Sequence, residues 1–257
     1  MCWSGEASAL IAVGGLSSAY FLKRRGMPRE IYLPTAYFVL MEGLQAFTYL
    51  VVGQCGHPAN MAFTWLAMMH ISFQPFFINM LGMEFIDPEV KTKIKSWVYV
   101  MCAVVAAGCM LRLMPAYDLL GRCELGTAMC SHSQTCAYRG EWHIGWDVLL
   151  NGFNEGWRWY VFAAFLVPIL YGSWKWSLYH YVVGPLAASL TTSDVSERPA
   201  VWCLFSTMII ALLVNTRLRG YIYVKRWWPW RYLGKKPPRQ PPPGPKVPRP
   251  VTADGHD

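Results

Sequence analysis

Apolar residues in this chain fall in blocks longer than the core helices of a soluble protein need, and that pattern limits the fold more than any other feature. Seven blocks stand out, over 7–22, 31–52, 59–83, 94–114, 157–172, 174–190 and 200–216. A helix crossing a hydrocarbon core of about 30 Å needs roughly 17–25 mostly apolar residues, and the blocks match or approach that length. The fifth and sixth are short and part only at Gly172-Ser173, so one long broken or re-entrant helix over 157–190 competes with two spans there. Charged residues make up 15% of the chain, against about 25% in soluble domains. The expected fold class is all-α, a polytopic transmembrane helix bundle of about seven spans. It would occupy 1–216, with an outer loop over 115–156, a basic Trp-rich interfacial segment over 217–234 and a Pro-rich cytoplasmic tail over 235–257.

Basic residues orient such a bundle. With the N-terminus outside, all but Arg112, Arg122, Arg139, Arg158 and Arg198 of the 23 Lys and Arg fall on inner segments or the C-terminal tail. The positive-inside bias then sets the N-terminus outside and the C-terminus inside. Six spans would put the basic tail on the wrong side. The net charge of +8 is thus mostly a topology signal, and it gives no reason to invoke nucleic acid. The first block is not a cleavable signal, because its positive charge, Lys23-Arg24-Arg25, follows the apolar run instead of preceding it.

The second and third blocks each carry one ionisable side chain, Glu42 and His70. Both lie 14 residues from Gly56 in the intervening turn. Antiparallel helices rise equally per residue, so the two are expected at similar depth near mid-bilayer, where ionisable groups usually mark a site or a path. Gln45 and Gln74 lie one turn from each on the same helix faces, and Thr48, Tyr49, Ser72 and Asn79 extend the polar track. The bland reading is a buried hydrogen-bonded pair locking two helices together. The functional readings use Glu42, Gln45, His70 and Gln74 as a polar centre for a small amphiphile, or Glu42, His70 and His180 as ligands of a zinc-dependent hydrolase of a lipid-like amide or ester. The layout is similar to that of seven-helix ceramidase-like hydrolases, whose pattern implies a His-x-x-x-His pair in the last span. Here that span has no histidine, which weakens the reading. A haem between His70 and His180 is disfavoured by an expected depth difference of about 9 Å. Gly-rich phosphate loops, Gly-x-Ser-x-Gly, His-Glu-x-x-His and Cys-x-x-Cys are absent from the sequence.

The outer loop holds Cys123, Cys130 and Cys136, and topology puts Cys55 on the same side. In an oxidising compartment these read as two disulfides, one of them tying the loop to the central hairpin. Three pairings are open, and Cys2 could replace one partner. Zinc with His132 and His143 lacks the usual paired spacing. Trp142, Trp146, Phe153 and Trp157 fall at helical offsets and suggest a helix at the outer membrane surface, with Asp147, Asn151 and Glu155 on a second stripe. Asp87-Pro88 reads as a helix start, with Asp capping and Pro in the first turn.

Beyond the last block, YIYVKRWWPWRY over 221–232 suits an anionic membrane surface. KKPPRQPPPGPKVPRP over 235–250 cannot build a core and is expected to be disordered, although its Pro-x-x-P spacing would fit a protein partner. The opening Met1-Cys2-Trp3-Ser4-Gly5-Glu6-Ala7-Ser8 resembles a family of uncharacterised bacterial multi-pass membrane proteins that begin Met-Cys-Trp-Ser. The resemblance implies a bacterial inner (cytoplasmic) membrane location and no particular activity. The expected role is ligand-binding, sensing or accessory, with membrane lipids or a lipid-like small molecule as partners.

Overall fold

The computed structural model describes residues 3–233. Cys2 and the Pro-rich segment with its partner motif lie outside the described residues. Seven long helices follow in order: α1 (Gly5–Arg24), α2 (Arg29–Tyr49), α3 (Pro58–Gly82), α4 (Pro88–Leu111), α5 over 155–170, α6 over 174–191 and α7 (Arg198–Asn215). Four stretches, Gly5–Arg24, Pro58–Phe85, Pro88–Leu111 and Arg198–Asn215, are long and apolar enough to cross a membrane.

Local chemistry accounts for the helix ends. Ser4 caps α1 by accepting from the Ala7 N–H, with Glu6 in the first turn and Lys23 and Arg24 in the last, as the macrodipole favours. Asp87 caps α4 and Pro88 opens it, as the sequence suggested. In α1 the buried residues are small but for Leu22 near its end: Ser8, Ala12 and Ala19. Gly15 meets α2 so closely that an added Cβ would stand 2.4 Å from Val39 Cγ2. Small residues at this spacing let two backbones approach where no larger side chain would fit.

Proline shapes α5 and α6. Each carries a π-helical turn, Phe162–Leu166 and Val182–Leu186, between α-helical ends. Pro168 brings no N–H, and the helix absorbs that loss by widening for one turn. Asn79 of α3 donates to the Ala163 carbonyl at 2.8 Å, and Ser177 of α6 donates to the Phe165 carbonyl at 2.7 Å. The bulge in α5 is therefore stitched to α3 and α6, and 157–190 forms two helices separated by the Gly172 turn. Gly172 has φ +103°, and a Cβ there would strike the Trp230 ring.

The loop over 115–156 departs from the expected all-α fold. It builds a small three-stranded sheet from β1 (Cys130–Ser131), β2 (Cys136–Arg139) and β3 (Ile144–Leu149), in the order β1-β3-β2. β1 pairs parallel to β3, and β2 pairs antiparallel to it with Ala137 opposite Trp146. The expected surface helix through Trp142, Trp146 and Trp157 is thereby overturned. Ile144, Trp146 and Val148 alternate along a strand and are fully buried, a pattern for which β-branched and aromatic residues are well suited. The second stripe also dissolves. Asp147 lies in β3, while Asn151 is buried and donates to the Leu111 and Met114 carbonyls that end α4.

Two disulfides hold this cap, Cys55–Cys136 and Cys123–Cys130. The first ties the turn between α2 and α3 to β2. Asn60 adds a second tie, bonding the Ala137 N–H and the carbonyls of Ala137 and Val51, each at 2.8 Å. Trp3 and the turn between α6 and α7 join the same end, through the Trp3 N–H to the Trp142 carbonyl and the Trp146 N–H to the Ser196 carbonyl. The opposite end gathers the remaining connections. The Val224 N–H bonds the Phe85 carbonyl, and Trp230 Nε1 bonds the Tyr171 carbonyl. The basic Trp-rich segment is thus docked against two helix turns, with Trp230 buried.

Candidate functional site

The face of α2 that carries Glu42, Gln45 and Tyr49 points into the protein. Steps of three and four residues keep these side chains on one face, and Glu42 and Gln45 are fully buried. Neither carboxyl oxygen of Glu42 and neither amide atom of Gln45 has a hydrogen-bond partner among the described residues. The Ser8 hydroxyl of α1 faces the Glu42 carboxyl at the edge of hydrogen-bonding reach, and Cys203 of α7 lies within electrostatic range of it. The Ser8 hydroxyl accepts from Trp3 Nε1 at 2.9 Å. Four unpartnered polar atoms on adjacent turns are unusual, because buried polar groups are nearly always satisfied.

From this centre the polar face rises about 10 Å along α2 to Tyr49. The Tyr49 hydroxyl meets His143 Nδ1 at 2.8 Å, and the two rings stack at 5.8 Å. Trp3 packs against the same imidazole at 6.0 Å. His143 is buried and its Nε2 is unpartnered. Burial pushes its pKa down to about 3, so the ring is neutral at neutral pH. Glu197, at the start of α7, sets the position of His143. Its carboxylate is buried and accepts from the Trp142 N–H at 2.7 Å, from the His143 N–H and from the Thr192 hydroxyl. On the same cap Tyr138 donates to Asp194 at 2.7 Å.

His70 lies elsewhere. Its ring stacks on Tyr37 at 4.0 Å, Tyr37 donates to the His70 carbonyl, and His70 Nε2 is unpartnered. No hydrogen bond joins it to Glu42. The expectation of equal depth assumed a symmetric turn about Gly56, whereas α2 ends at Tyr49 and α3 begins at Pro58. Counted from those ends, Glu42 is about 7 Å shallower than His70. Gln74 joins a third cluster, donating to Cys203 Sγ at 3.1 Å and accepting from Tyr160 at 2.6 Å. Thr48 and Ser72 bond carbonyls of their own helices, and Asn79 links α3 to α5.

His180 is boxed by aromatic rings, lying parallel to Trp176 at 5.1 Å, with Nε2 on Ser206 at 3.2 Å. Glu42, His70 and His180 therefore occupy separate surroundings. A zinc ion needs its donors each about 2 Å away, and these three do not gather. Among the described residues, the gathered donors are Cys123, Cys130 and His132. There the two sulfurs are bonded to each other and His132 Nε2 meets the Cys123 carbonyl at 2.6 Å, which leaves no thiolate for a metal.

Glu197 and His143 were not legible as site residues. The N–H groups that Glu197 accepts lie 54 and 55 residues away in sequence, so no local spacing announces it. The 42–45–49 spacing on α2 was visible, but nothing in it pointed to His143.

No curated protein and no solved structure matches the chain. A family of unknown function, DUF5765, matches residues 6–223, and the chain belongs to that family.

Proposed function

We propose that this chain is a seven-span protein of the bacterial inner membrane, with its N-terminus and disulfide-held cap outside and its C-terminus inside. Its role is to bind or sense a small polar or amphiphilic ligand at the Glu42–Gln45 centre. Helix connections that alternate between two ends of the bundle support the seven spans. So do large apolar side chains turned outward: Leu10, Leu40, Val100, Leu170 and Leu212 are each more than half exposed, a surface that water disfavours and lipid does not. The observation that carries the ligand reading is the set of four unpartnered polar atoms on Glu42 and Gln45. A structural lock would satisfy these atoms within the protein. A binding centre leaves them to its ligand.

The test is a Glu42→Leu/Gln45→Leu double variant, purified in detergent beside the wild type. Small molecules are extracted from both and compared by mass spectrometry, and thermal unfolding is measured on the same samples. The ligand reading expects a co-purifying molecule to vanish while stability holds or rises, since unsatisfied polar groups give way to apolar ones. A clear loss of stability with no molecule lost would make the centre a structural element. Orientation is tested separately, with a reporter active only in the periplasm fused after Asp257. The proposal expects no activity from it.

A further inference from the structure

We propose that the groove between α1 and α2 holds one phosphatidylethanolamine-type lipid of the outer leaflet, its phosphate on Arg139 and its ammonium toward Glu6. This rests on the membrane reading above and not on the role of Glu42. The groove is about 910 Å³, at the upper end of the range for ligand pockets and enough for a headgroup with part of its acyl chains. It runs from Glu6 and Tyr49 at the capped end to Leu16 and Leu40, with Gly43 on its wall. Ten residues of helix on either side make it about 15 Å long, half of a hydrocarbon core of about 30 Å. That is the depth of a single leaflet.

Charge sits only at the mouth. Arg139 ends β2, is exposed, and forms no ion pair or side-chain hydrogen bond among the described residues. Glu6 stands on the same rim in the first turn of α1. A guanidinium is well matched to a phosphate, and the nearby carboxylate favours a headgroup that also carries an ammonium. Below the rim the lining is apolar, which suits an acyl chain. Tyr49 lines the groove and bonds His143, so the lipid would abut the polar file of the cap.

The experiment is native mass spectrometry of the detergent-purified, delipidated protein after reconstitution with vesicles. Three vesicle compositions are used, phosphatidylcholine doped with phosphatidylethanolamine, phosphatidylglycerol or diacylglycerol. One retained phosphatidylethanolamine per chain is expected, with weaker phosphatidylglycerol and no diacylglycerol. Arg139→Gln should weaken retention about tenfold, as loss of one charge-assisted contact does. Leu40→Trp, which fills the groove from an exposed position, should abolish it at unchanged melting temperature. Glu6→Gln should erase the preference over phosphatidylglycerol. Equal retention of diacylglycerol, or retention unmoved by both Arg139→Gln and Leu40→Trp, would overturn the proposal. Failure of the protein to enter the vesicles at all would instead overturn the membrane reading beneath it.

Discussion

Replacing Glu197 with leucine should unlatch the disulfide-held cap. The wild-type carboxylate is buried and satisfies two backbone N–H groups, of Trp142 and His143, together with the Thr192 hydroxyl. Leucine keeps much of the volume and removes every acceptor. Each buried N–H left unpaired costs about 1–3 kcal/mol. The hydroxyl can partly recover by rotation, and leucine regains about 1–2 kcal/mol of apolar burial. The net loss should be about 3 kcal/mol. For a chain of this size, each kcal/mol moves the melting temperature by roughly 2–4 °C, so a drop of about 10 °C is expected. Glu197→Gln is the control. Its carbonyl can still accept from both N–H groups, and only the contact with Thr192 is compromised, for about 1 kcal/mol. The assay is intrinsic tryptophan fluorescence during heating in detergent, which sums the 13 tryptophans of the chain, Trp142 and Trp146 of the cap among them. A leucine variant within about 1 kcal/mol of wild type, or a glutamine variant as damaged as leucine, would refute the reasoning.

The two disulfides should contribute unequally. Cys55–Cys136 spans 81 residues and Cys123–Cys130 spans 7, so loop-closure entropy gives about 4.5 and 2.5 kcal/mol respectively. Paired serine variants compared by thermal unfolding should rank in that order, and the reverse order would sink the loop argument. His143 should make stability pH-dependent on the acid side. Its folded pKa is about 3 against 6.5 when free, so between those values the unfolded chain takes up a proton that the folded one does not. Stability should therefore fall as pH drops below 6.5, by up to about 1.4 kcal/mol per pH unit, with no contribution above it. His143→Phe should reduce the slope between pH 6 and 4 by its own share, and an unchanged slope would exclude His143 as a contributor.

The sequence was most legible where the deciding interaction is local. Asp87-Pro88 reads as a helix start because cap and first turn lie within three residues. The disulfide set could be named, but its pairing could not, because spacing does not say that Cys55 stands over β2. The loop over 115–156 is ambiguous for a related reason. Trp142, Trp146 and Trp157 fit helical offsets, yet Ile144, Trp146 and Val148 fit a strand equally well. Only burial against the sheet and α7 decides between them. Glu42 and Glu197 mark the two limits. Glu42 stood out because an acid in an apolar run is conspicuous whatever surrounds it, and it was then paired wrongly because depth depends on how the turn between α2 and α3 is built. Glu197 sits beside polar residues in a turn, where an acid usually faces water. Its meaning comes mainly from the two N–H donors that the fold delivers from the turn before β3. An unpartnered residue can thus be found from its own neighbourhood, whereas a latch exists only once both of its halves are in place.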